Sequence, residues 1–256
     1  MDLQLKNKTF LVFGASSGLG RAVAEALLKE NATVIGVARR KALLKELEEN
    51  AGFTAIEQDM TADDAVVNLV NAIGGKQVDG ILLNGGGPPA MQTLETKIED
   101  WDAAYHLLLR WKVVLLKHFI PLMQLQGWGR VLFVESGSVK QPLENLVLSN
   151  AFRVAVVNMA KTLSQEIAGS NVTLNVLAPG SHDTDAINRV YEKKSEQTGL
   201  SFDEVRMQAI NGSPMKRIGD ASDFASLAVW FFSDFSKYIN GQTITVDGGI
   251  NKSIFG

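Results

Sequence analysis

The chain contains no cysteine. That absence excludes disulfides, thiolate nucleophiles and cysteine-held metal or iron–sulfur sites. Histidine is nearly as scarce. Only His106, His118 and His182 occur, none in an H-E-x-x-H spacing, so no metal centre is expected. No apolar run approaches the roughly 18 residues of a membrane span. The first residues, M-D-L-Q-L-K-N-K, carry charge where a secretion signal needs an apolar stretch, which makes the cytoplasm the expected location. Neither sign of charge dominates: 25 basic against 28 acidic side chains leave a formal charge of −3. Nucleic acid and anionic membrane surfaces are therefore not expected partners.

What is present is the composition of a soluble globular protein, 46% apolar and 21% charged over 256 residues. A chain of this length hides roughly 70–75% of its unfolded surface and needs no covalent or metal staple. The length fits one α/β domain covering 1–256. Short apolar or β-branched runs at 9–13, 33–37, 53–57, 80–83, 130–134, 173–177 and 243–246 predict buried strands. Helical spacing predicts helices over 21–29, 41–50, 98–126, 148–169 and 220–233, with Pro121 as a kink or break. A further helix is expected from an N-cap at Thr61, with Asp63 and Asp64 in its first turn. Residues 181–213 are polar and read as a mobile inserted flap. Strand–helix alternation with near-continuous apolar strands predicts a Rossmann-type doubly wound parallel sheet of about seven strands, covered on both faces.

The first strand runs into G-A-S-S-G-L-G, Gly14 to Gly20, and a helix follows at once. A helix N-terminus offers unpaired N–H groups and partial positive charge to a pyrophosphate. Glycine permits the tight turn and the close approach of phosphate oxygens. The other reading, an ordinary glycine-rich turn, is weakened by the loop's place after the first strand.

The spacing G-x-x-x-G-x-G resembles that of the short-chain dehydrogenases/reductases, and further matches cover almost the whole chain. Asp59 follows the third strand, where the family holds the adenine, with Met60 beside it. Asn84-Gly85-Gly86 resembles the end of the family's N-N-A-G. Pro179-Gly180 with Thr184 resembles the P-G-x-x-x-T that clasps the nicotinamide side. Gly241-Gln242-Thr243 and Val246-Asp247-Gly248-Gly249 resemble its C-terminal strand. Within the family the chain looks most like the 3-oxoacyl-[acyl-carrier-protein] reductases. The resemblance implies a dinucleotide held by Gly14, Ser16, Ser17, Gly18, Leu19, Gly20, Asp59, Met60, Asn84, Gly85, Gly86, Pro179, Gly180 and Thr184. At the end of the second strand stand Ala38, Arg39 and Arg40, with no acid to repel a 2′-phosphate. Guanidinium forks suit that phosphate. NADP(H) is thus the expected cofactor and NAD(H) the alternative; the other reading of Arg39 and Arg40 is a solvated start to the next helix.

The family reduces carbonyls with a serine, a tyrosine, a lysine and an asparagine. Ser136 falls on the serine position. The tyrosine position is Ser149, the lysine position Arg153 and the asparagine position Leu108. Arg153 keeps a cation for the nicotinamide ribose, but a serine hydroxyl is a far weaker acid than a phenol, and losing a general acid costs ~10²–10⁴ in rate. Lys140, in the loop after Ser136, and His182, within P-G-S-H-D-T, are the candidate replacement donors. Tyr105 reads as helix packing, Tyr191 lies in the flap, and Glu135 or Glu144 could orient a base. The expected activity is NADP(H)-dependent reduction of a small carbonyl, 3-oxoacyl-like or other, giving an alcohol. The alternative is a nucleotide-binding sensor or scaffold with weak or no turnover. Flap residues Ile187, Val190, Leu200, Phe202 and Met207 suit an apolar or acyl-bearing substrate; the other reading is the flap's own packing. The resemblance also implies a homotetramer or dimer, with Trp111, Val113, Val114 and Phe152 as candidate interface residues; the other reading of these four is intramolecular core.

Overall fold

The structure is a computed structural model that describes residues 2–254. The expected domain bounds, 1–256, run past these at both ends, so Met1, Phe255 and Gly256 lie outside the described residues. The strands are β1 (Thr9–Phe13), β2 (Thr33–Ala38), β3 (Phe53–Glu57), β4 (Gly80–Leu83), β5 (Gly129–Val134), β6 (Val172–Pro179) and β7 (Thr243–Val246). All pair in parallel, in the order β3-β2-β1-β4-β5-β6-β7. The strand order reverses between β1 and β4, and in such a sheet the carboxyl ends at the reversal form a crevice.

The helices are α1 (Gly18–Lys29), α2 (Lys45–Glu48), α3 (Ala65–Ile73), α4 (Ile98–Tyr105), α5 (Trp111–Gln126), α6 (Val147–Glu166), α7 (Asp185–Thr198), α8 (Phe202–Gly212) and α9 (Ala221–Phe231). Successive strand residues point to opposite faces, which divides the core in two. Leu11, Phe13, Ile35, Ile81 and Phe133 face α3, α5 and α6. Phe10, Val12, Val34, Leu82 and Leu132 face α1 and α9. None of the helices described is long and apolar enough to cross a membrane.

Four local expectations are corrected. The helix expected at 41–50 is a 3-10 turn, Lys41–Leu44, followed by the single turn of α2. Thr61 is not an N-cap, because its N–H and hydroxyl both donate to Asp59 Oδ1, at 3.0 and 2.8 Å; Asp64 precedes the first turn of α3 instead. The stretch 98–126 does not break at Pro121. That residue is exposed within α5, where water can serve the carbonyl its ring leaves unpaired. The irregularity is a π-helical turn, His106–Arg110, joining α4 to α5. Finally, the polar segment 181–213 forms α7 and α8. Thr184 accepts from the Ile187 N–H, and Ser201 forms a capping box with Glu204. Tyr191 and Val205 are buried, and the polarity lies on the outer faces.

Candidate active site

A groove of about 400 Å³ crosses the carboxyl ends of the strands. Its middle is the turn between β1 and α1 and the loop after β4: Gly14, Ser16, Ser17, Gly18 and Leu19 face Asn84, Gly85 and Gly86. The backbone dictates glycine here. Gly14 has φ +67°, and a Cβ on it would lie 2.6 Å from Asn84 Nδ2. A Cβ on Gly20 would strike the Gly14 carbonyl. Gly20 thus stands behind the lining and lets α1 pack close under the turn. Ser17 precedes α1 with no side-chain hydrogen bond to its first turn, leaving those N–H groups for a ligand.

At the β2–β3 end the lining is Ala38, Arg39, Arg40, Gln58, Asp59, Met60 and Thr61. The Thr61 N–H bond holds the Asp59 carboxyl below the usual aspartate range, with a further contribution from the charge of Arg39. At the β5–β6 end it is Val134, Glu135, Arg153, Pro179 and Thr184. Gly180 lies behind, its N–H donating to the Val246 carbonyl at 2.9 Å.

Behind that end lies a buried network. Arg153, on α6, donates from Nη1 to Glu135 Oε2 at 3.0 Å and from Nε to Ser149 Oγ at 3.0 Å. The other oxygen of Glu135 accepts from Lys112 Nζ at 2.5 Å. Lys112 is 1% exposed. Burial pushes its ammonium below the ordinary lysine value against the opposing pull of Glu135.

Ser136 precedes a 3-10 turn, Gly137–Val139, and its Oγ accepts from the Ser138 N–H at 3.1 Å. Lys140 closes that turn, half-buried, and burial lowers its pKa. Ser136, Ser149 and Lys140 do not line the groove itself. His182 is buried elsewhere. Its Nδ1 lies 3.2 Å from the Gly180 carbonyl oxygen and its ring meets Phe224 edge-on. It lines a separate cavity of about 300 Å³ with Ser213, Arg217 and Asp223. Leu108 is buried in the π-turn. Tyr105 packs near Phe152, and Glu144 is exposed. Trp111 belongs to the core and the groove wall, the second of its two expected places; Val114 is exposed.

Lys112, Trp111, Gly87 and Arg189 were not among the expected site residues. The signal for Lys112 was present: it lies at helical spacing from Leu108, Leu115, Leu116 and Phe119, on the face the helix buries.

A family model described as enoyl-(acyl carrier protein) reductase matches residues 14–251. The 3-oxoacyl-[acyl-carrier-protein] reductase FabG of Vibrio harveyi is 30% identical over 97% of this chain and 99% of its own. The chain belongs to the short-chain dehydrogenase/reductase family. Among other members of this family of oxidoreductases, the NADPH-dependent reductase BacG of Bacillus subtilis is 27% identical over 98% of this chain and all of its own. The L-sorbose reductase of Gluconobacter frateurii, solved with NADPH and L-sorbose, superposes with a TM-score of 0.92 at 26% identity, covering 99% of this chain and 100% of that one.

The groove fits the family's dinucleotide on its own geometry. The glycine turn leaves room that a Cβ would fill, α1 presents its N-terminus there, and the cations at the two ends follow β2 directly and stand beside β5. In the sheet order, β2 and β5 are three strand spacings apart, about 14 Å at ~4.8 Å each.

Proposed function

We propose that the protein is an NADP(H)-dependent oxidoreductase that reduces the carbonyl of a small molecule, 3-oxoacyl-like or other, with a proton donor that is not tyrosine. The observation that carries this reading is the groove, continuous from Arg39 and Arg40 to Arg153. Two guanidinium groups at the β2 end suit a 2′-phosphate, and no carboxylate follows β2 directly to repel one. The NADPH-dependent relatives support the same choice. Arg153, with Pro179 and Thr184, takes the nicotinamide half.

The reduced nicotinamide supplies a hydride to the carbonyl carbon. Ser136 holds the carbonyl oxygen: its Oγ already accepts from Ser138, so its own hydrogen is free to donate outward. Ser149 is arranged likewise, accepting from Arg153 Nε with its hydrogen free. Lys140, one turn beyond Ser136 and shifted toward easier deprotonation by burial, gives the proton to the developing alkoxide. His182, lining the other cavity, holds the 180–182 turn against Gly219 and α9. The protein acts in the cytoplasm as a dimer or tetramer, with exposed Val114 of α5 and Val154 of α6 at the contact.

The test is transfer of label. Purified protein is incubated with NADPH deuterated at the nicotinamide C4 and a pool of carbonyl metabolites, and products are read by mass spectrometry. Deuterium in an alcohol product is the expected result. A sample that binds NADPH by calorimetry yet transfers no label supports the second reading, a nucleotide-binding sensor or scaffold. The observation favouring that reading is the buried Leu108 in place of a hydrogen-bonding relay residue.

A further inference from the structure

We propose that Lys112 is a positioning residue: through Glu135 it keeps one end of the Arg153 guanidinium free for the nicotinamide half of the bound dinucleotide. The inference rests on the dinucleotide reading above but concerns Lys112 and Glu135, which lie outside the family's four catalytic positions.

The network is not what packing alone selects. Lys112 stands on α5 among Trp111, Leu115, Leu116 and Phe119, all buried, and the Glu135 side chain is fully buried. A buried ion pair seldom stabilises a fold more than apolar side chains of the same volume. Here two cations share one carboxylate, so a positive charge is left over inside the protein. Such an arrangement needs a use for the extra cation.

Arg153 supplies that use. Its Nη1 is tied to Glu135 and its Nε to Ser149, so two of its three nitrogens are held. Its Nη2 reaches the groove wall at Gly87, where an added Cβ would lie 3.5 Å from it. A carboxylate and a guanidinium left to themselves prefer the bidentate fork, with both oxygens taken by two N–H groups. Lys112 prevents this. Its ammonium occupies Oε1, so Glu135 offers only Oε2 to Arg153. Without Lys112, Oε1 becomes free to draw a second N–H of Arg153 inward and away from the groove. Trp111, immediately before Lys112, lines the same groove and fixes where α5 passes.

The two halves of the groove permit a selective test. Adenosine 2′,5′-bisphosphate reaches the Arg39–Arg40 end but carries no nicotinamide half to meet Arg153, three strand spacings away. Calorimetry with NADPH and with the bisphosphate is run on the wild type and Lys112→Met. The expected result is an NADPH affinity about tenfold weaker, as for losing one charge-assisted hydrogen bond, with bisphosphate affinity unchanged. Retained bisphosphate binding also shows that the variant is folded. If Lys112→Met does not fold, the smaller apolar variant Lys112→Leu, which likewise leaves Glu135 Oε1 unoccupied and keeps Glu135 in place, carries the same expectation. Variants that bind NADPH as the wild type does, or that lose both ligands in equal proportion, overturn the role of Lys112. A wild type that gains nothing from the nicotinamide half, or binds neither ligand, overturns the dinucleotide reading itself.

Discussion

The two ends of the groove are built from different materials. From Gly14 to Leu19, and along Asn84 to Gly86, the wall is largely backbone: a turn with positive φ at Gly14, the first N–H groups of α1, and close approaches that exclude a Cβ. At the β5–β6 end the wall is made of side chains, Glu135 and Arg153, held from behind by Lys112 and Ser149. A backbone site tolerates drift in most side chains and fails at a few glycines. A site of buried charges has no such reserve, because each member leaves its partner unpaired when it is lost.

The contrast is broken most severely at a glycine. Gly20→Ala is expected to abolish nucleotide binding, a loss of more than about 100-fold by calorimetry, and to lower stability by roughly 1–3 kcal/mol, since the new Cβ meets the Gly14 carbonyl and Asn84 together. A retained NADPH affinity would mean that the turn does not carry the phosphates.

Next comes the proposed proton donor. Lys140→Ala is expected to lower reductive turnover by ~10²–10⁴ with nucleotide affinity intact. The pH profile sharpens the point. Lys140 donates as the ammonium, and burial holds its pKa below the ordinary 10.5. Reduction should therefore decline as pH rises through that lowered value, and the limb should vanish in the variant. An unchanged alkaline limb would transfer the role to another group.

Removing the shared carboxylate measures how dependent the buried end is. Glu135→Leu leaves Lys112 and Arg153 facing each other without compensation, and a loss of about 3–5 kcal/mol is expected in urea unfolding. A loss below about 1 kcal/mol would show that Lys112 sheds its proton and that the network is not held by charge.

The smallest effect belongs to the β2 end. Replacing Arg39 and Arg40 by alanine should weaken NADPH by about tenfold while leaving NADH affinity as it was. Equal losses for both nucleotides would assign these residues to the pyrophosphate or to the fold.

The same division governs what could be read in advance. β1 and β4 match their expected bounds because a strand covered on both faces is written as a continuous apolar run, and the part-exposed edge strands β3 and β7 match as well. The glycine turn was equally legible, since its residue types and spacing are the geometry. Lys112 escaped notice because a lysine in a helix is ordinarily solvated, and nothing local announces that Glu135, 23 residues on, will meet it. The π-turn escaped for a related reason. Pro121 is a strong local signal for a break, but an exposed proline can be accommodated, whereas the extra residue at 106–110 is set by what the helix must face on either side. In the segment 181–213 overall polarity masks two helices, although the S-F-D-E capping box marks the start of the second.

That π-turn has a consequence for how such a site can arise. A turn closed from residue i to i+5 holds one residue more than its α-helical equivalent, and each residue of an α-helix advances the chain by about 100°. In effect His106–Arg110 is a one-residue insertion that never left the helix: it re-phases everything after it, rotating a different row of α5 toward β5. A mutational history that gains or loses a single codon there exchanges an entire face of side chains at once. Lys112 can meet Glu135 because of that phase, and restoring a plain α-helix by deleting Leu109 would swing the lysine off the carboxylate without altering either residue.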